Sequence, residues 1–529
     1  MYASQGSCEY YARSTAEEDD KPLIQCEYAH AMGNSMGGFK DYWDLVRAYP
    51  KFQGGFIWDF ADQGLRRKDA HGREHFTYGG DYNSYDPSDN NFNCNGLFSP
   101  DRLPNPHAHE VGYYYQNIWV TPLNLQEGRI LVKNEFFFRQ TQNISLQWEL
   151  LADGEVVERG IQPLAVIRPQ GEAEVQIPYH YEAADHNKEL LLNVDFILTQ
   201  DELPLTAGMR IAHEQLHVQS PRSLTSGENS LALSTSTADI HVTGDDNRLY
   251  VRSSKTELDF DKNSGFLCKY VVAGKTYLGE GGVLQPNFWR AVTDNDMGAE
   301  LQKHNAVWRK PELMLRAMDV REGEGEVTIS SSYDMTDAHA TLQIDYAITP
   351  DGTMKVTQQM KSSPEAKVAD LPRFGMMMQM PSDINLSRFY GRGPVENYSD
   401  RKGSQRIGIY QQTAEEQFYP YIRPQETGTK GDIRWWRQTD IMGQGIIISS
   451  DKPFYASALP YELDELDEGD AKHQRHPTDL SPSPFVNLFI DGYHAGLGGI
   501  DSWTRQGQAL GHYRLKYQDY TIRFTFKPI

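Results

Sequence analysis

Cysteine is scarce in this chain: Cys8, Cys26, Cys94 and Cys268 are the only four in 529 residues, and no two form a CxxC pair. That count and spacing exclude a disulfide framework and a cysteine-rich zinc site. No run of 18 apolar residues occurs and no basic stretch leads into an apolar one at the start, so neither a membrane span nor a secretory leader is expected in these residues. Positive charge is also short, with 51 Lys and Arg against 73 Asp and Glu, a net charge of -22 and a pI near 5.2. Such a surface repels phosphate backbones and anionic bilayers, so no nucleic acid and no membrane is expected as partner, and a neutral ligand such as a sugar fits better. Phosphate loops, dinucleotide fingerprints, Ser/His/Asp motifs and internal repeats are absent as well. Aromatic residues are plentiful at 12%, including 30 Tyr and 9 Trp. β-Sandwich cores account for most of them, and sugar stacking draws on the same residues.

The length allows about three domains at roughly 150 residues each. Residues 1 to 20 read as a polar, solvated loop ending in Glu17-Glu18-Asp19-Asp20, and the bare start Met1-Tyr-Ala-Ser reads as the beginning of a fragment. The apolar run Pro22 to Cys26 suits a buried strand. Phe39, Tyr42, Trp43, Leu45, Val46 and Tyr49 then recur at helical spacing up to Pro50, and Gln53 to Phe60 forms a second strand. Strand, helix and strand make one βαβ unit, which demands a parallel sheet and is not stable as two strands alone. Residues 60 to 118 are loop-rich. From 119, short strands alternate with turns, as in Arg129 to Phe138, Ile144 to Leu151, Glu172 to Tyr179 and Glu189 to Leu198, which fits one sandwich over 119–216. A linker is expected at 217–225. Strand patterns such as Leu249 to Leu258, Gly265 to Val272, Glu326 to Tyr333 and Tyr520 to Phe526 then continue to the end, implying a large sandwich over 226–529.

Glu27 falls where the first strand emerges into a Gly/Asn/Ser loop, beside Tyr28 and His30, the position where α/β folds place chemistry. A carboxylate there serves as nucleophile or acid/base, or as a structural cap. Glycoside hydrolysis needs a second carboxylate, and nothing in the chain clearly supplies it, because Asp59 and Asp62 read equally well as loop caps. Trp58 ends the second strand, where its face suits either a pyranose ring or the core. His107, His109 and Glu110 have the types of a metal site but read as solvated. Asp259 to Gly265 resembles a calcium loop, yet its glycine stands at position 7 and position 12 is Tyr270, so a hairpin turn is expected. Asn287 to Asp296 is an unusual polar cluster for a β domain, open to a functional or a structural reading.

At Cys-Glu27-Tyr-Ala-His30-Ala-Met-Gly-Asn34-Ser and Gln-Gly-Gly-Phe-Ile-Trp58-Asp-Phe-Ala-Asp62-Gln the chain closely resembles the large bacterial β-galactosidases of glycoside hydrolase family 2. Further matches are Met1-Tyr2, Tyr78-Gly-Gly-Asp81, Asn95-Gly-Leu, Asn287-Phe-Trp-Arg-Ala with Asp294-Asn-Asp296, Gly391 to Arg401, and Gly498-Gly-Ile-Asp-Ser-Trp503. The resemblance covers the whole chain as the C-terminal half of such an enzyme. It implies a mainly β protein: over 1–118 the C-terminal remnant of a (β/α)8 barrel, then an immunoglobulin-like or fibronectin-like sandwich, then a large C-terminal β-sandwich. It implies Glu27 as nucleophile of a retaining β-galactosidase, Tyr2 as its hydrogen-bonding partner, His30 as a contact of the galactosyl hydroxyls, Trp58 as the floor under the sugar and Trp503 as the aglycone platform. Phe92 (by its carbonyl) and Asn95 match ligands of the family's Na+, while Ser88 departs from the Asn often found in that loop. In the family the acid/base Glu, the Glu and His that bind Mg2+ and an Asp of the sodium site belong to upstream segments, so the magnesium ligands are mostly absent from this chain and the acid/base motif has no match in it.

The expectation is therefore a β-galactoside-acting enzyme whose isolated chain has little or no activity. Its partner would be the N-terminal half of the enzyme or a further copy of itself, and the exposed inner face of the barrel remnant would carry strain, altered packing or an oligomeric contact. The compartment expected is the cytoplasm or periplasm of a bacterium. Two other readings are a carbohydrate-binding β module without hydrolysis and an assembly fragment that pairs with a separate N-terminal half.

Overall fold

A computed structural model describes residues 1–16, 20–180, 187–220 and 239–529. The acidic tract at 17–19 and most of the expected linker, from 221 on, lie outside the described residues; residues 217–219 belong to the strand Arg210–Gln219. The architecture is mainly β.

The first core lies within residues 8–114 and gathers Cys8, Tyr28, Phe39, Tyr42, Phe52, Val111 and Tyr114. Helix α1 (Gln5–Arg13) opens it, with Ser4 Oγ accepting the Ser7 amide as N-cap. The polar composition pointed to a loop here. The helix forms because its buried face is Gln5, Cys8 and Ala12, which leaves no apolar stripe to read. Strand β1 (Leu23–Tyr28), helix α2 (Phe39–Ala48) and strand β2 (Phe52–Ile57) follow as the sequence predicts, with Leu23, Gln25 and Tyr28 opposite Phe52, Gly55 and Ile57 in a parallel pair. Among the described strands these two pair only with each other. One side is left open, with Ile24 56% and Phe56 69% exposed. Helix α3 (Pro106–Tyr114) closes the unit, with proline at its first turn.

The second core packs a four-stranded sheet, built on Ile144–Ala152 and Leu190–Leu198, against the three strands Ile118–Asn124, Arg129–Asn134 and Glu172–Gln176. The third is far larger: seventeen described strands, from His241–Gly244 to Tyr520–Pro528, form one continuous sheet folded over a core of Phe, Trp, Met, Ile and Leu. The last strand bridges Met354–Ser362 and Gly445–Leu459, tying the chain's end into the middle of that sheet. The single strand expected from Leu249 to Leu258 is two, Arg248–Arg252 and Thr256–Asp261, because Ser253 Oγ accepts the amides of Lys255 and Thr256 and turns the chain. The hairpin expected at Asp259 to Gly265 joins Thr256–Asp261 to Leu267–Val272.

Candidate active site

Glu27 stands at the C-terminal end of β1, half-buried between the exposed Cys26 and the buried Tyr28. On the open edge of β1 the first residues of the chain run alongside: the Tyr2 amide donates to the Glu27 carbonyl at 2.8 Å and the Ala3 amide to Gln25 Oε1 at 2.7 Å. Tyr2 adopts a left-handed φ of 54°, and its phenol lies near enough to the Glu27 carboxylate to feel its charge. Burial first, then this carboxylate, pushes the phenol far above the ordinary tyrosine range, so it stays protonated and keeps a proton to donate.

Three more rings surround the spot. Trp503 meets Tyr2 edge-on at 4.8 Å between centroids and His30 at 5.0 Å, and Phe92 lies 5.4 Å from His30 and 5.7 Å from Trp503. Trp503 remains 43% exposed, while His30 is buried and accepts no solvent shell. Burial lowers the His30 pKa to about 4; Asp294 opposes that, and Lys472 adds to it. The ring is therefore neutral at physiological pH. Trp58 sits on the neighbouring strand end, 40% exposed, with its amide bonded to the Tyr28 carbonyl and its carbonyl accepting the Ala31 amide. Its indole is not among the rings packed on His30.

The loop from Ala29 to Gly38 is almost wholly buried, and its partners come from the large sandwich. The Asn34 amide bonds Gln425 Oε1, its side chain donates to the Glu426 carbonyl and the Tyr398 hydroxyl, and Arg401 donates to the Ser35 carbonyl. The Gly37 amide bonds the Gly498 carbonyl, and the Gly38 amide the Asp400 carbonyl. Only glycine fits at Gly37, where a Cβ would stand 1.8 Å from Asp400 Oδ2, and at Gly33, which has a φ of 57° and a Cβ position 2.3 Å from Asp294 Oδ2.

Asp294 anchors the second loop. It is fully buried, paired with Arg423 at 3.1 Å and Lys472 at 2.7 Å, and it accepts from Gln425 and from Asn91, the residue before Phe92. Burial alone would raise its pKa, but Arg423 and then Lys472 outweigh that and hold it well below the usual carboxylate range. The polar cluster at Asn287 to Asp296 thus abuts the site. In it, Thr293 and Asp296 form a capping box for helix α4 (Asp294–Gly298), and the buried Arg290 grips Asp296 through two hydrogen bonds. Arg423, Gln425 and Lys472 carry no local signature and were not singled out by the sequence.

The other candidate acids are caps, as one sequence reading had it. Asp59 accepts from the Ala61 amide and Gln63 Nε2, and Asp62 from the Gly96 amide and Asn105 Nδ2. Neither is bonded towards Glu27. Burial pushes Asp62 up to about 7. The solvated reading fails for His107, which is buried and donates from Nε2 to the Gly96 carbonyl at 2.9 Å; burial lowers its pKa to about 3. His109 is exposed, and Glu110 is buried, accepting the amides of Gly403 and Ser404. Glu110 thus ties α3 to the sandwich, and His107 ties it to the Gly96 loop of its own core.

Among the described residues no group of three or more His, Cys, Asp or Glu is placed to hold a metal ion. For a hard cation, Phe92 and Asn95 offer oxygen. Asn95 Nδ2 donates to the Phe92 carbonyl at 2.9 Å, and Asn95 Oδ1 is buried without a partner. A half-turn of that amide sets two oxygens side by side, an arrangement stable only with a cation between them. Ser88 Oγ is occupied by the Asn90 amide.

A family model described as "Beta galactosidase small chain" matches residues 252–526, just over half the chain. The chain belongs to that family. The glycosyl hydrolases family 2 TIM barrel domain matches residues 1–120 and domain 4 of β-galactosidase matches 130–219, so the three cores together correspond to the C-terminal half of a large family 2 β-galactosidase. Relatives named β-galactosidase include those of Priestia megaterium, 33% identical over all of this chain and 49% of its own length, Halalkalibacterium halodurans, 32% identical over 95% of this chain and 48% of its own, and Pseudoalteromonas haloplanktis, 30% identical over 96% and 49%. The chain thus spans about half the length of the relatives it matches.

Proposed function

We propose that this small-chain family member carries the nucleophile half of a retaining β-galactosidase acting on terminal β-D-galactosides. The observation that carries this is Glu27 at a strand's end with the protonated Tyr2 phenol beside it, under a wall of aromatic rings, two of which, Tyr2 and Trp503, come from opposite ends of the chain. A Glu27 oxygen attacks the anomeric carbon, and the bond to the aglycone oxygen breaks as an acid supplied by another part of the enzyme protonates it. The resulting galactosyl ester is opened by water, returning the Glu27 carboxylate. Tyr2 donates to the carboxylate and so holds the attacking oxygen in place before the ester forms. His30 contacts the sugar hydroxyls, Trp58 underlies the ring and Trp503 faces the aglycone. The Phe92 carbonyl and Asn95 Oδ1 would hold part of a Na+ site, where the ion would fix a sugar hydroxyl by electrostatics. No residue set among those described fits Mg2+, and no step is routed through it.

The partner in this reading is the polypeptide that bears the remaining barrel strands and the acid. It docks on the open side of β1 and β2, where Ile24, Cys26 and Phe56 lie exposed, as an eight-stranded barrel requires neighbours on both edges. Assaying the purified chain with a nitrophenyl galactoside, alone and mixed with an N-terminal half from a relative, tests it. Little or no turnover alone and restored turnover on mixing, abolished by Glu27→Gln, is expected. Turnover by the chain alone that Glu27→Gln removes would show that the acid lies within these residues.

A further inference from the structure

His30 is reached from the far end of the chain by a two-step hydrogen-bond relay. Its Nδ1 lies 2.8 Å from Ser502 Oγ, and Ser502 Oγ lies 2.7 Å from Asn295 Oδ1. The direction of each bond follows from counting protons. Asn295 Nδ2 donates to the Leu497 carbonyl at 3.4 Å, which fixes the amide with its nitrogen turned that way and Oδ1 turned to Ser502. An amide oxygen can only accept, so the single hydroxyl proton of Ser502 goes to Asn295. What Ser502 then offers His30 is a lone pair, and Nδ1 must bear the hydrogen. The reverse assignment would leave two oxygens 2.7 Å apart with no proton between them, in a region where Asn295 is fully buried and Ser502 nearly so.

We propose that Ser502 and Asn295 are positioning residues that lock His30 in the Nδ1–H tautomer, leaving Nε2 as a hydrogen-bond acceptor for a hydroxyl of the bound sugar. This rests on the reading that His30 contacts the sugar. A neutral imidazole in water favours the proton on Nε2, so the relay reverses the intrinsic preference and decides which partner the ring can recognise: a group that donates. Among the described residues Nε2 has no hydrogen-bond partner of its own. The remaining geometry is rigid. Asn295 sits in α4, held by its capping box and by Arg290, and the ring is packed between Trp503 and Phe92. The consequence for specificity is that the sandwich sets the donor and acceptor pattern that the barrel presents to the sugar.

Long-range proton–nitrogen correlation spectra of the whole chain, labelled with nitrogen-15 histidine, read the tautomer directly and need no activity. His30 is assigned by the signals lost in His30→Gln. The expected result is an unprotonated Nε2 and a protonated Nδ1 in the native chain and in Ser502→Thr, which keeps the hydroxyl. In Ser502→Ala the pattern shifts to Nε2–H. In Asn295→Leu the hydroxyl of Ser502 is freed to donate to Nδ1 and the same shift follows, although Ser502 is still present. An Nε2–H pattern in the native chain, or an Nδ1–H pattern that survives in either Ser502→Ala or Asn295→Leu, overturns the proposal. The spectra stand whether or not the reconstituted enzyme cleaves galactosides, so a failure of the relay and a failure of the proposed activity are told apart.

Discussion

Replacing Asp294 with alanine should undock the candidate site from the large sandwich while leaving the second core untouched. The side chain is fully buried and neutralises two cations, Arg423 at 3.1 Å and Lys472 at 2.7 Å, while accepting from Gln425 and Asn91. Arg423 keeps Glu468 at 2.6 Å, but Lys472 loses its ion pair and keeps the neutral side-chain oxygen Asn91 Oδ1 at 2.9 Å, with Glu468 acting on it from farther off. Stranding a buried charge costs about 3–5 kcal/mol, far above the roughly 0–1 kcal/mol of an exposed pair. Three cores do not define a single unfolding free energy, so the readout is local amide exchange. The amides of Asn34, Gly37 and Cys94, bonded to Gln425, Gly498 and Asn91 respectively, should exchange about a hundredfold to a few thousandfold faster, since each 1.4 kcal/mol is a factor of about ten. Amides in Ile144–Ala152 and Leu190–Leu198 should not change. Adding Lys472→Met removes the stranded cation and should recover part of the loss. A change of less than threefold at Asn34 and Gly37, or no recovery in the double variant, would refute the argument that this buried cluster holds the loops.

Gly37→Ala forces a Cβ to within 1.8 Å of Asp400 Oδ2 and should cost about 1–3 kcal/mol by overpacking, whereas Gly112→Ala in α3 meets nothing within 4 Å and should be neutral or slightly stabilising; thermal unfolding of the two variants side by side checks the contrast. Asp62, pushed up to about 7 by burial, holds its proton in the folded chain over the interval from about pH 4, where a free carboxyl titrates, to about 7. Folding therefore binds a proton there, and the stability of the first core should fall as pH rises through that interval, by up to about 4 kcal/mol; Asp62→Asn should flatten the profile. Tyr2→Phe removes the donor to Glu27, a charge-assisted bond of about 1.5–3 kcal/mol, so kcat in the reconstituted enzyme should drop by about 10- to 150-fold with binding of neutral sugar little changed; an unchanged kcat would remove Tyr2 from the mechanism.

Legibility in the sequence followed the range of the interaction. The unit β1, α2 and β2 was readable because an apolar run, a helical repeat and Pro50 each leave a local mark. Helix α1 was not, since Gln5, Cys8 and Ala12 bury a face with no apolar stripe. His107 looked solvated in a polar tract because its partner is the Gly96 carbonyl, on a loop eleven residues earlier, a contact that leaves no local mark. Glu27 was marked by its place at a strand's end. The residues that orient its surroundings were not, because Ser502 meets His30 across 472 positions and Arg423 meets Asp294 across 129, separations at which no periodicity survives.

The two sides of Glu27 differ in how complete they are. Towards the sandwich, the buried loop of ten residues satisfies the Asn34, Gly37 and Gly38 amides and the Ser35 carbonyl on Gln425, Gly498, Asp400 and Arg401, while the Ala31 amide bonds the Trp58 carbonyl of its own core. That side is preformed: His30 is held by Ser502 and Asn295, Asp294 fixes Asn91 next to Phe92, and the rings of His30, Phe92 and Trp503 pack on one another. Towards the open edge of β1, only the first three residues lie alongside among the described residues, and the apolar side chains Ile24 and Phe56 are exposed. On the function proposed above, a sugar bound here would meet a finished wall for its hydroxyls and aglycone and an unfinished one at the anomeric carbon. The large sandwich would then mould half of the site, and the proposed partner strands would complete the other half.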